Sequence, residues 1–364
     1  MKVAIIGAGL SGLSCAYELD RLGIKATVFE KKNYIGDSLE YTICTLKLFN
    51  RYKGLAISYL KKNYRLEIKP HNKLKEIIMF SPNNKTIIKG NLGHIFIKSP
   101  DETSLENQIL NKFKPNILFD RYVKASNLKD KFDYIVVATG ETSVAKEYGI
   151  FAQTFNAYSR IATVLGAFKS NSLMMWIDNE YSKKGYAYLL PYNEKKAYLA
   201  LTTDNISNNE LDYYWNKFLK KENIRYVMTE TRDFETHSGL VNPVKIDNVY
   251  FIGNSAGLMD SFMGFGAISS IESGFLVARS IVNNLNYNKM MQPIIRDIKL
   301  KHEYRIMMNN MNNKDFDGML SFLNFPGVKQ LLYKNPFYKA QYGTYLIKLY
   351  NKIKNTDDNM LYPQ

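Results

Sequence analysis

The chain opens with an apolar run at residues 2–6 that stops at Gly7, the pattern of a short buried strand. Apolar positions then recur at helical spacing through Leu13, Ala16, Tyr17 and Leu19, and Gly23 ends that helix. A second apolar run at residues 24–29 predicts another strand, with Glu30 at its tip. Strand, glycine turn, helix and strand in this order predict a βαβ unit on a parallel sheet, and hence an α/β fold. Further buried strands are predicted at residues 132–140 and 249–252, and a helix at 267–283. Residues 66–68, 77–80 and 86–88 are strand-like, with a turn at Pro82-Asn83-Asn84. Residues 93–98 lead into a predicted helix at 105–113, followed by a strand at 117–125. Strand-like runs at 173–177, 186–190 and 197–201 surround a turn at 193–196. From residue 289 the pattern is helical, and Tyr338, Tyr342, Tyr345, Leu349 and Ile353 share one stripe beside several lysines.

The turn between the first strand and helix reads GAGLSG at residues 7–12. Gly7 permits the tight turn, Gly9 lets a pyrophosphate approach the backbone, and Gly12 lets the helix pack on the strand. The N–H groups around Leu10 and Ser11, at the positive end of the helix dipole, then favour phosphate charge. Glu30 stands about twenty residues beyond the glycines, where a carboxylate can accept ribose hydroxyls. The glycines alone are a weak signal. Their placement between strand and helix, with an acid at the next strand tip, predicts a dinucleotide site without separating FAD from NAD.

Two later segments carry a resemblance. DYIVVATG, residues 133–140, resembles the strand that crosses the nucleotide in two-dinucleotide-binding-domain flavoproteins, which implies a cofactor contact at Ala138, Thr139 and Gly140. GNSAG at 253–257, followed by Gly264-Phe265-Gly266 and a helix from Ala267, resembles their second FAD motif. The resemblance implies that Gly253, Asn254, Gly264, Phe265, Gly266 and Ala267 also hold FAD. Asn254 stands where Asp is usual; it still accepts a hydrogen bond but carries no charge. No second G-x-G-x-x-G and no C-x-x-C occur, so the disulfide reductases with their separate NAD(P)H domain are excluded.

Within these flavoproteins the chain resembles the aromatic-hydroxylase and geranylgeranyl-reductase branch. GYAYLLP at 185–191 is similar to an aromatic strand of the reductases, and KKNYIGDS at 31–38 to the loop entering their flavin site. Two ordinary strands with core-facing aromatics are the plainer reading of the first match. The resemblance implies cofactor contacts at Lys31, Lys98 and Val123, and candidate catalytic roles for Cys44 and Tyr188. Cys44 also reads as a buried structural thiol. The implied architecture is a discontinuous FAD-binding Rossmann-like domain (1–48, 93–150 and 239–288) with an inserted β-sheet substrate domain (49–92 and 151–238). The resemblance covers roughly residues 1–285; the helical periodicity beyond it adds a C-terminal helical region, 289–364. The implied activity is reduction of C=C bonds in an isoprenoid or other lipid by hydride from reduced FAD, with NAD(P)H or ferredoxin as electron donor. The alternatives are a flavin monooxygenase, dehydrogenase or amine oxidase on a smaller apolar substrate, a redox-dead scaffold, and a tRNA-binding flavoprotein.

The chain has 364 residues, 46% of them hydrophobic, and a formal net charge of +15. That charge fits peripheral contact with an anionic membrane, or simply a lysine-rich background. Nothing resembles a nucleic-acid-binding motif, so no nucleic-acid partner is expected. Cys15 and Cys44 form no disulfide framework, and the four histidines have no metal-ligand spacing. The start lacks the features of a secretory signal, and the longest apolar stretch, 264–282, is broken by Glu272 and Arg279. A cytoplasmic protein, with or without attachment to a membrane surface, is expected. The C-terminal stripe fits either a helix in a membrane interface or one packed on the core.

Overall fold

A computed structural model of the chain describes residues 1–334 and position 347. The aromatic stripe at Tyr338, Tyr342, Tyr345, Leu349 and Ile353 lies outside the described residues.

The chain begins β1 (Val3–Ile6), α1 (Leu10–Arg21), β2 (Thr27–Phe29), as the periodicity predicts. It continues through β3 (Tyr41–Leu46), α2 (Ala56–Tyr64), β4 (Asn72–Phe80), β5 (Lys85–Lys98), α3 (Leu105–Leu110), β6 (Asn116–Leu118), β7 (Tyr134–Val137) and α4 (Ser143–Glu147). Then come β8 (Phe151–Leu165), β9 (Ser172–Trp176), α5 (Asn179–Ser182), β10 (Tyr186–Pro191), β11 (Lys196–Asp204), α6 (Leu211–Lys221) and β12 (Val227–Val241). The last elements are β13 (Lys245–Ile246), β14 (Val249–Phe251), α7 (Ala267–Asn283), α8 (Tyr287–Asn310) and α9 (Asn313–Asn324).

Among the described residues the strands form two sheets. The first has the order β13-β14-β7-β1-β2-β6, parallel except for β13 at its edge. Every residue of β1 is buried, and Ile5 lies in register between Val28 and Val136. A parallel sheet is covered on both faces, so its strands read as unbroken apolar runs. Buried residues of α1 and α7 join this sheet in one core.

The second sheet has the order β12-β8-β11-β10-β9-β4-β5-β3, antiparallel except for the pair β4–β9. Both β3 and residues 93–98 of β5, which the sequence groups with the nucleotide segments, run in this second sheet. Alternation along β10 sends its side chains to opposite faces. Ala187 and Leu189 join Trp215 and Phe218 of α6 in one cluster. Tyr186, Tyr188 and Leu190 join Met263 and Phe265, from the loop before α7, in another. The aromatic strand therefore faces the second glycine-rich motif.

Four expectations change. Residues 66–68 form no strand; Leu66 and Ile68 are buried in the first core along a connection with no partner strand. The strand at 117–125 shrinks to β6, because the chain turns at Asp120 with φ 54°. The helix at 105–113 ends at Leu110. Two long strands, β8 and β12, occupy segments where no strand is predicted. β12 is an edge strand with charged or polar residues on both faces, a pattern that blocks edge-to-edge pairing and hides the strand from hydrophobic periodicity.

Candidate functional site

Three segments far apart in sequence meet at the C-terminal ends of β1, β7 and β14. Gly7, at φ +111°, lies so close to β7 that a Cβ on it would sit 2.3 Å from the Ala138 carbonyl oxygen. A Cβ on Gly12 would sit 2.0 Å from the Gly7 carbonyl oxygen. Only glycine allows these approaches. At Gly253, which opens the second motif, the same construction meets Ser11 Oγ at 2.6 Å. A hydroxyl pair, Thr139 Oγ1 and Ser255 Oγ at 2.9 Å, ties the β7 end to the β14 end.

Gly9 differs from these positions, since nothing lies within 4 Å of where its Cβ would stand. Space is therefore open beside the first turn of α1. That helix has no side-chain cap and no acidic residue in its first turn. Its N–H groups and positive dipole end remain available to an anion. The neighbouring Glu30 is buried, and its carboxylate accepts hydrogen bonds from the backbone N–H of Ala8 and Lys32. Leu10 and Ser11 are buried at the helix start, while Lys31 is exposed and 3.4 Å from Glu141. Val123 is half-buried against the first core. Open space, uncapped donors and a fixed carboxylate fit the diphosphate and ribose of a dinucleotide.

The second motif continues this line. The Gly253 N–H donates to Ser273 Oγ of α7 at 2.9 Å, anchoring the loop to its own helix. The Asn254 side-chain oxygen is turned toward Gly266, 3.3 Å from where a Cβ there would lie. Gly266 caps α7 with no side-chain partner, so the N–H groups around Ala267 form a second unfilled helix start. Gly264 is exposed, and Phe265 packs against the second sheet. These residues fit the flavin end of FAD: a neutral hydrogen-bonding side chain and a helix N-terminus beside an apolar wall.

That wall contains both candidate catalytic residues. Cys44 and Tyr188 lie in the cluster that includes Tyr186, Met263 and Phe265. The Tyr186 hydroxyl donates to the Met263 carbonyl at 2.8 Å, fixing the strand to the loop. Burial pushes the Cys44 thiol up to about 12. Burial also raises the Tyr188 phenol, and nearby Tyr186, Tyr41 and Cys44 add to the shift. At neutral pH both groups keep their protons, so Cys44 is a poor nucleophile. Lys98 is occupied: it pairs with the fully buried Glu106 at 2.6 Å. Burial pulls its pKa down, but Glu106 and Tyr41 outweigh that and hold it up. Cys15, fully buried in α1, belongs to the core.

A second set of polar residues, with no motif in the sequence, meets beside α7. Glu272, 1% exposed in α7, accepts hydrogen bonds from Arg51, Tyr59 at 2.5 Å and Tyr64 at 3.0 Å. This network joins α2 to α7. In the sequence Glu272 is visible only as a break in an apolar run, and its partners are some two hundred positions away.

Residues 5–48 match the family model of an NAD(P)-binding Rossmann-like domain. Over 47 residues the chain is 53% identical to the glutamate synthase (NADPH) small chain of Escherichia coli (strain K12); that match covers 13% of this chain and 10% of that protein. Among solved structures, a geranylgeranyl bacteriochlorophyll reductase-like protein from Thermoplasma acidophilum aligns with a TM-score of 0.74 at 13% identity, covering 95% of this chain and 98% of that one. A flavoprotein/dehydrogenase from Cytophaga hutchinsonii aligns at 0.65 and 14% identity, covering 97% and 98%. A variant of the halogenase PltM in complex with FAD aligns at 0.67 and 11% identity, covering 100% and 92%. The chain thus has the mixed α/β fold of FAD-dependent oxidoreductases, with a Rossmann-like nucleotide domain.

Proposed function

We propose that this chain binds FAD at the junction just described and is an FAD-dependent oxidoreductase that reduces C=C bonds of an isoprenoid or other apolar substrate. The observation that carries the reading is the packing of the second glycine-rich motif on the aromatic face of the second sheet. Met263 and Phe265 meet Tyr186, Tyr188 and Cys44 there, leaving an apolar surface beside the residues that fit the flavin.

Residues of the segments 1–48, 93–150 and 239–288 bind and orient the cofactor in this reading, and the second sheet supports the substrate. Flavin supplies two-electron hydride chemistry when bound. The chain's own residues exclude water with their apolar side chains and hold protons at Cys44 Sγ and Tyr188 Oη. The electron donor is NAD(P)H or ferredoxin, and the net charge of +15 favours a location beside an anionic membrane. Among the described residues no helix is long and apolar enough to cross a membrane.

The test is anaerobic incubation of the reduced holoprotein with geranylgeraniol, followed by mass analysis. Products carrying one added hydrogen pair per reduced bond are expected. Unchanged prenyl alcohol, together with NADPH-dependent oxygen uptake on smaller apolar compounds, would replace this reading with a monooxygenase.

A further inference from the structure

The face of α8 turned toward the loop before α7 is polar yet buried, carrying Asp297, Lys301, His302 and Arg305 at helical spacing. Most of this set is satisfied. Lys301 pairs with Asp297 at 2.9 Å and lies 3.6 Å from Asp260. His302 Nδ1 shares a hydrogen bond with Ser261 Oγ at 3.1 Å.

Arg305 is the exception. Its side chain is 0% exposed, and Nε, Nη1 and Nη2 have no hydrogen-bond partner among the described residues. The guanidinium carbon stands 5.1 Å over the Phe155 ring. Ser238, the register partner of Phe155 on β12, carries another buried oxygen without a partner. Tyr186, Asp204 and Asp260 act on the guanidinium through space, but neither acid forms an ion pair with it. Burial pulls the pKa down to about 10, and those three groups oppose the shift, so Arg305 keeps its charge at neutral pH.

A buried guanidinium is ordinarily held by a carboxylate or phosphate, often through two parallel hydrogen bonds. Left without one it weakens the fold, and an apolar side chain of similar shape is the better structural choice. We infer that Arg305 anchors the oxyanion head, carboxylate or phosphate, of an otherwise apolar substrate whose body lies along Tyr186, Tyr188, Met263 and Phe265. The inference rests on the apolar-substrate reading above and adds the charge that the substrate carries.

Calorimetric titration of the FAD-loaded full chain with decanoate, decyl phosphate and decanol tests this directly. Both anions should bind wild type about tenfold or more tightly than decanol. Arg305→Met should bring them within about twofold of decanol, while Arg305→Lys keeps part of the preference. The tighter of the two anions identifies the head group. The ligand-free Arg305→Met protein should melt no lower than wild type, since it loses an unpaired buried charge. Equal binding of all three probes by wild type, binding of none, or an unchanged preference in Arg305→Met overturns the inference. A lower melting point with unchanged anion binding also does so, making Arg305 a structural counter-ion. Should Arg305→Met not fold, the wild-type comparison and Arg305→Lys still decide. Alkene reduction without an anion preference sinks this inference alone; an Arg305-dependent preference in a protein that reduces no alkene sinks only the reductase reading.

Discussion

The Glu30 carboxylate accepts a hydrogen bond from the Ala8 backbone N–H at 2.8 Å, locking the tip of β2 against the glycine turn after β1. A second bond, from the Lys32 N–H at 3.0 Å, fixes the other oxygen. Each oxygen retains a lone pair, so the carboxylate is oriented before any ribose arrives. Glu30→Ala should weaken FAD binding about 10- to 100-fold, the worth of hydrogen bonds to a charged group. Fluorescence titration of the apoprotein with FAD measures it, and affinity within about twofold of wild type would remove Glu30 from the site.

Gly9 and Gly12 should separate binding from folding. A methyl at Gly12 collides with the Gly7 carbonyl, whereas one at Gly9 meets nothing within 4 Å. Gly12→Ala should cost about 3 kcal/mol or more in urea unfolding. Gly9→Ala should leave the apoprotein's stability nearly unchanged while weakening FAD about tenfold, because its methyl occupies the space of the diphosphate.

Glu272→Ala tests the network that joins α2 to α7. Removing this carboxylate leaves the Arg51 charge and the Tyr59 and Tyr64 hydroxyls without their shared acceptor. The expected loss is about 3–5 kcal/mol in urea unfolding. A loss below about 1 kcal/mol would mean that water already satisfies these groups.

How legible was all this in the sequence? The first βαβ unit was, because β1 is buried at every position and its neighbouring helix keeps one apolar stripe. So was α7, whose observed bounds, Ala267–Asn283, agree with the helix that the sequence predicts. β12 was not, since Thr229, Glu230, Arg232, Asp233 and Glu235 place polar groups on both faces of an edge strand. The interior roles of Glu272 and Arg305 were also hidden. Each lies in a helix whose sequence shows a charge, while what surrounds that charge comes from distant elements.

Alkaline pH should titrate the half-buried Cys44 thiol. Burial raises Cys44 from an ordinary 9.0 to about 12, so the folded chain keeps a proton that the unfolded chain releases. Stability from this group is complete below about pH 9 and falls as pH rises toward 12, by about 1.4 kcal/mol per pH unit. Cys44→Ala should flatten the alkaline decline by that slope in urea midpoints measured across the window. An identical slope in wild type and Cys44→Ala would place the thiol in water.

Whether this fold holds FAD is read from the visible spectrum of the purified protein and the identity of what it releases on denaturation. The purified protein should be yellow and release FAD at about one per chain, or its apoprotein should take up added FAD to that ratio. A colourless protein that takes up no FAD at saturating concentration would contradict it, and Asn254→Asp would then show whether the missing charge is the cause.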